Sequence, residues 1–256
     1  MTIDQPTFGP LLAEGKTKRI YACPADDKLA YMVNKDAITA GDGARRNELA
    51  GKSRWSTTTV ANVFRLLNAS GINTDFVEQI DEVTLLVRRC SMLPIEHVQR
   101  RLATGSYLKR HPEVSEGTRF DPVLIETFLK DDARHDPQIS AEEITAMGIA
   151  TPEEIAAMAE QGRNVFKVIE QAWAALDVTL VDLKIEFGRD VSDALGNLLV
   201  ADVIDNDSWR LWPGGDKQRM LDKQVYRNLP NVTEAELQSI ADRYALVAQL
   251  TSQFHP

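Results

Sequence analysis

Asp182, Lys184 and Glu186 alternate along Val181-Asp182-Leu183-Lys184-Ile185-Glu186-Phe187-Gly188. A period of two puts them on one face of a strand and turns Val181, Leu183, Ile185 and Phe187 toward a core. Carboxylates beside an ammonium can hold a divalent cation and neutralise phosphate. A polar loop containing Asp190, Ser192 and Asp193 leads to a second apolar run, Asn197 to Ile204, as a hairpin requires. Opposed residues in a hairpin have a constant sum, so a loop centred near Ser192 sets Asp202 across from Asp182. Three carboxylates and a lysine then share one patch. The same residues also make an ordinary solvated hairpin face, and the two strands alone do not separate these readings.

Two further sets have the types that anions need. Gly15-Lys16-Thr17-Lys18 invites a P-loop reading, but Pro10 stands where that motif has its first glycine, and a strand-like pattern follows where it has a helix. Lys16 and Lys18 are left projecting from one strand face, toward phosphates or into solvent. Arg100, followed by Thr104-Gly105-Ser106, offers a guanidinium fork, a hydroxyl and a glycine amide, which suit phosphate or carboxylate; a basic surface run from Arg100 to Arg110 is the other reading.

The elements that must position these groups are mixed. Leu11 to Ala22 and Leu29 to Val33 read as a hairpin-like pair, Lys35 to Gly43 as a glycine-containing loop, and Ser56 to Ala69 as a helix stopped near Gly71. With strands expected over 72–79 and 83–90, the first ninety residues form a mostly antiparallel sheet with one helix, and Pro94 marks a boundary. Ser140 with Glu143 and Thr151 with Glu154 make capping boxes, and the second opens a long helix to about Ala175 with Gly162 inside it. Thr233 with Glu236 opens a final helix to about Ser252. Phe128 to Pro137 and Asp205 to Pro213 read as loops, and His135 is given no catalytic role.

A chain of 256 residues is long enough to bury roughly 70–75% of its unfolded surface in one or two packed domains. A formal charge of −9, from 38 acidic and 29 basic residues, works against nucleic acid as a partner. Cys23 and Cys90 have neither zinc-site spacing nor the density of a secreted scaffold, which points to a reducing cytoplasm. Residues 1–6 lack a basic start, and no window approaches 18 apolar residues, so neither a leader nor a membrane span is expected.

Leu180 to Gly188 resembles the Asp-x-Lys-x-Glu-Phe-Gly signature of the SAICAR synthetases, the ATP-dependent ligases of purine biosynthesis. Further blocks resemble that family in its order: Gly15-Lys16-x-Lys18; the loop 35–43; Pro94-x-Glu96, Arg100 and Thr104-Gly105-Ser106; the loop 128–137; the run through Ser208-Trp209-Arg210-Leu211-Trp212, most similar to the animal bifunctional form; and Asp222 to Arg227. Gln99 departs from the pattern, standing where it has an apolar residue, and Val203 stands where the common form has a glutamate.

The resemblance implies an α+β fold in which an antiparallel N-terminal sheet domain (1–92), like a protein kinase's small lobe, lies over a larger α/β C-terminal domain (93–256) with the ATP site between them. It implies a ligase joining 5-amino-1-(5-phosphoribosyl)imidazole-4-carboxylate (CAIR) to L-aspartate through a carboxyl phosphate, with ATP and Mg2+. Lys184 and Asp182 are then expected as catalytic residues, and Lys16, Lys18, Met92, Lys130 and Glu186 as ATP ligands. Arg100, Ser106, Arg210, Lys223 and Arg227 are expected to bind substrate, and Glu186 and Asp202 to bind metal. The alternatives are a kinase-like phosphotransferase and an inactive binding protein. No nucleic acid or membrane is implied, and homo-oligomerisation is left open.

Overall fold

The computed structural model describes residues 6–41 and 43–255, so the first five residues, Asp42 in the expected glycine loop and Pro256 lie outside the described residues. The chain order is β1 (Leu11–Glu14), β2 (Lys18–Ala22), β3 (Leu29–Asn34), β4 (Ala37–Ala40), β5 (Arg45–Glu48), α1 (Lys52–Ala69), β6 (Phe76–Gln79), β7 (Thr84–Arg88) and β8 (Cys90–Leu102). There follow α2 (Ser106–Arg110), β9 (Arg119–Leu129), α3 (Ala141–Ala146), α4 (Pro152–Ala174), β10 (Val178–Asp190), β11 (Leu198–Ala201), β12 (Trp209–Pro213), α5 (Gln224–Asn228) and α6 (Glu234–Thr251). The fold is α+β with antiparallel sheets, as expected.

One five-stranded sheet has the order β1-β2-β3-β7-β6, and a second has the order β11-β10-β8-β9 with β12 also paired to β10. α1 packs between the first sheet and α6, while α4 packs along β10 and β8. Residues of both five-stranded sheets and of helices α1, α4 and α6 form one continuous apolar core, which includes Met32, Phe64, Leu85, Ile95, Phe166, Trp173, Leu183, Phe187 and Val247.

The three expected capping boxes are present at Ser140/Glu143, Thr151/Glu154 and Thr233/Glu236. α1 begins a turn earlier than expected because its start is capped from a distance: the Asp36 carboxylate accepts from the amides of Gly51 (3.2 Å) and Ser53 (2.8 Å). Part of the expected loop 35–43 is instead the strand β4, paired with β5.

Pro94 lies inside a strand: β8 runs through it, and it sits where the register with β10 shifts between the pairs Gly188↔Met92 and Glu186↔Glu96. A bulge is a place in a sheet that tolerates a residue without an amide hydrogen. The stretch 209–213 is a core strand, not a loop. Trp209 and Leu211 are buried, and Leu180↔Leu211 and Asp182↔Arg210 pair it to β10.

Candidate active site

β10 is flanked by β8 and, along successive lengths, by β12 and β11, and both of its faces are largely buried. Leu183, Ile185 and Phe187 point into the core as expected. The charged face therefore is not a solvated one: Asp182 and Glu186 are buried acids. The hairpin register differs from expectation. Glu186 pairs with Ala201 and Phe187 with Val200, so Asp202 lies just past the end of β11 near the middle of β10, not across from Asp182. Asp202 has a left-handed backbone (φ 71°), which turns the chain out of the strand there.

The expected single patch is in fact two. Lys184, Glu186 and Asp202 line a cleft of about 720 Å³ together with Lys16, Lys18, Glu96 and Lys130. β8 places Glu96 directly opposite Glu186, a repulsive pairing taken alone. Lys184 Nζ resolves it by donating to Glu186 Oε1 (2.5 Å) and lying 3.3 Å from Glu96 Oε1, while Lys130 Nζ donates to Glu186 Oε2 (2.5 Å). Lys18 donates to Asp202, and Lys16 reaches across to Asp132 (3.0 Å). Burial pulls the Lys184 ammonium down, but Glu186, Glu96 and Asp202 outweigh it and hold it above the ordinary lysine range. Burial likewise raises the Asp202 carboxyl, and Lys18 and Lys184 outweigh it, bringing the acid down to about 2. At neutral pH the cleft thus presents fixed charges of both signs.

Asp182 belongs to the second patch. It is opposed by Arg100 on β8 and by Arg210 on β12, and it accepts from both, with Arg100 Nη1 at 3.0 Å. Arg100 also donates from Nε to Glu126 Oε2 (2.5 Å) and lies 3.4 Å from Ser106 Oγ through Nη2; Glu126 accepts in turn from Arg110. Arg100 is only 2% exposed and stands behind Ser106. Ser106, Lys109, Arg210, Gln224 and Arg227 line a pocket of about 920 Å³ that contains Gly105 at its rim. Arg227 also lines the lysine cleft, so the two cavities meet there.

Lys223 is nearly buried and bonds Asp207 Oδ2 at 3.1 Å. Asp207 also lies 3.5 Å from Lys52 and accepts from the Tyr244 hydroxyl (2.6 Å), which ties α1, α5 and α6 to the cleft. Burial raises the Asp207 carboxyl, and Lys52 and Lys223 outweigh it, holding the acid far below the usual range.

A third cavity, about 480 Å³, opens off the lysine cleft and shares Gly15, Lys18 and Asp202 with it. Its walls are mostly apolar, from Leu12, Ile20, Ala30, Met32, Val87 and Met92. Met92 therefore sits in this slot and not among the lysines.

Every residue expected at the site thus lines one of these cavities except Asp182 and Arg100, which stand behind the arginine pocket. Glu96, Glu126, Lys52, Asp207 and Asp75, the last of which also lines the apolar slot, are not singled out by the sequence. Glu96 lies within a block resembling the family and Asp207 within a stretch read as a loop; Lys52, Asp75 and Glu126 carry no sequence signal, because only the folded chain brings them to the site.

Among the described residues no three His, Cys, Asp or Glu side chains cluster as a metal site. Glu186 and Asp202 nevertheless fit magnesium, which takes one or two protein carboxylates and completes its shell with phosphate and water. Both line the same cleft, among Lys16, Lys18, Lys130 and Lys184.

A family model for SAICAR synthetase matches residues 11–243. The chain is 60% identical over 244 residues to the phosphoribosylaminoimidazole-succinocarboxamide synthase of Roseiflexus sp. (strain RS-1), covering 95% of this chain and 97% of that one. A bifunctional phosphoribosylaminoimidazole carboxylase/phosphoribosylaminoimidazole succinocarboxamide synthetase of Drosophila melanogaster is 45% identical, covering all of this chain and 60% of that protein. Over its whole length the chain is more similar to the Roseiflexus protein than to this animal bifunctional one. Among solved structures, the Ehrlichia chaffeensis synthase superposes with a TM-score of 0.86 at 27% identity, covering 96% of this chain and 100% of that one. A SAICAR synthetase in complex with ADP superposes with a TM-score of 0.80 at 31% identity, covering 91% of this chain and 96% of that one. With the match running through every element that builds the cavities, the chain belongs to the SAICAR synthetase family.

Proposed function

We propose that this chain joins the carboxylate of CAIR to the amine of L-aspartate with ATP going to ADP and phosphate, forming SAICAR for purine biosynthesis. The observation that carries the reading is the meeting of two anion sites at Arg227, one rich in lysine and acid beside an apolar slot, the other rich in arginine. A triphosphate has its base in the slot and its phosphates at Lys16, Lys18, Lys130 and Lys184. The CAIR phosphate and carboxylate take Ser106, Arg210, Lys223 and Arg227, with Arg100 and Asp182 holding Ser106 and Arg210 in place. In this reading residues 1–92 cover ATP, and 93–256 carry the substrates.

A carboxylate is a poor electrophile, so the γ-phosphoryl group first passes to the CAIR carboxylate, releasing ADP. The aspartate amine then attacks that carbonyl; the C–N bond forms, the C–O bond to phosphate breaks, and the amine loses its proton. Catalysis of this kind is mostly positioning and charge neutralisation. Lys184, kept protonated by its three acids, neutralises charge and orders Glu186. Magnesium held by Glu186 and Asp202 would neutralise the phosphates further. The free thiols of Cys23 and Cys90 agree with a cytoplasmic home.

The test is ADP release from the purified protein. It should require CAIR and L-aspartate together. Release with CAIR alone at the full rate would favour a kinase-like phosphotransferase, and no release under any condition would favour a binding protein.

A further inference from the structure

Asp75 is a carboxyl group that the reaction as described does not use. It precedes β6 and is held by its backbone, its amide donating to Val200 O (2.9 Å) and its carbonyl accepting from Arg88 N (2.7 Å). Its side chain lines the apolar slot, is 3% exposed as a residue, and leaves Oδ1 with no hydrogen-bond partner among the described residues. The Asp202 amide faces the Asp75 carboxyl, while the side-chain donors nearby are engaged elsewhere: Lys18 bonds Asp202, and Arg88 donates to Thr74 O (2.6 Å), so Oδ1 is left over. A buried acceptor without a donor is costly, and such groups mark places where a ligand completes the pairing.

The ligand's chemistry follows from the slot's surroundings. A triphosphate end belongs among the lysines, so what enters the slot is the base, whose rings meet Ile20, Ala30, Met32 and Val87. Apolar walls hold any purine and choose poorly between them, whereas a buried polar group discriminates strongly against a ligand that cannot pair with it. A carboxyl oxygen accepts from an exocyclic amine in either protonation state of the acid. We propose that Asp75 accepts a hydrogen bond from the 6-amino group of the bound purine and is the residue by which this chain selects adenine. The proposal rests on the ATP reading above.

The experiment compares ATP with purine riboside 5′-triphosphate, which lacks only the 6-amino group, in wild type and in Asp75→Leu, with thermal melting as the check on folding. Wild type should prefer ATP by roughly 10- to 100-fold in nucleotide KM, the size of one hydrogen bond to a charged or buried group. In Asp75→Leu the two nucleotides should come within about threefold of each other, with the KM for CAIR unchanged, since a single lost contact removes only that preference. Should leucine not fold, Asp75→Val makes the same comparison. Wild-type discrimination in the folded variant, or no discrimination in wild type, overturns the role of Asp75. Failure of ATP to support turnover in wild type is a different result and removes the functional reading itself.

Discussion

Replacing Gly105 by alanine tests the arginine pocket more directly than removing an arginine does. Gly105 has φ 59° and ψ −128°, a region that L residues scarcely visit, so any side chain there is strained by about 1–3 kcal/mol. The added Cβ would also lie 2.6 Å from Arg210 Nη2 and 3.0 Å from its Cζ. Arg210 must then move, and it is held by Asp182 in a setting where one broken contact of a buried ion pair matters. Strain and displacement together should lower stability by about 2–4 kcal/mol. Loss of one charge-assisted grip on the substrate should raise the KM for CAIR by roughly 10- to 100-fold, leaving that for ATP within about twofold. Urea denaturation and steady-state kinetics supply both numbers. The two contributions separate in an Arg210→Ala background, where nothing remains to collide with the Cβ and only the strain should be left. Gly105→Ala costing the same stability in both backgrounds would refute the argument, as would a wild-type KM for CAIR in the single variant.

Asp202→Asn should cut kcat by roughly a hundredfold or more while CAIR still binds, since magnesium and Lys18 both lose their anion; undiminished turnover would remove Asp202 from the metal site. Lys16→Ala should weaken ATP far more than CAIR, because Lys16 lines the lysine cleft and not the arginine pocket; calorimetric titration of each ligand decides it. His97 is buried with neither ring nitrogen partnered among the described residues, and desolvation lowers its pKa from 6.5 to about 4. The unfolded chain therefore takes up a proton between those values and the folded chain does not, so stability is full above about pH 6.5 and falls by up to about 3 kcal/mol toward pH 4. Denaturation of wild type against His97→Leu across that range should show the difference, and parallel pH curves would contradict it.

Gln99 and Gly162 form a second pairing of the kind seen at Gly105 and Arg210. An alanine Cβ at Gly162 would meet Gln99 Nε2 at 2.8 Å, although alanine in a helix interior is intrinsically favoured over glycine by about 1 kcal/mol. Gly162→Ala should therefore destabilise the wild type and stabilise Gln99→Ala. A stabilising Gly162→Ala in the wild-type background would show that the glutamine yields freely.

The same pairing shows why parts of this fold could be read from the sequence and parts could not. The capping boxes at Ser140, Thr151 and Thr233 were legible because each is a local device, closed within four residues. α1 hid its first turn because its cap, Asp36, lies on a preceding segment. β8 and β9 went unassigned for a different reason. Along β8 the core-facing row includes His97, Gln99 and Arg101 and the site-facing row includes Glu96 and Arg100, so neither row has the apolar alternation that marks a half-buried strand. Those charges are tolerated inside only because tertiary partners meet them: Arg101 pairs with Glu170 on α4 (2.6 Å), Arg100 with Glu126 and Asp182, and Glu96 with Lys184. The hairpin register was misjudged because the loop is not symmetric about Ser192; three residues of difference in the sum carried Asp202 from Asp182 to the neighbourhood of Lys18 and Lys184. In this chain the residues that obscure the strands are therefore the ones that build the site, since a buried charge on a central strand breaks the periodicity that identifies the strand and needs a partner across the sheet or in the ligand.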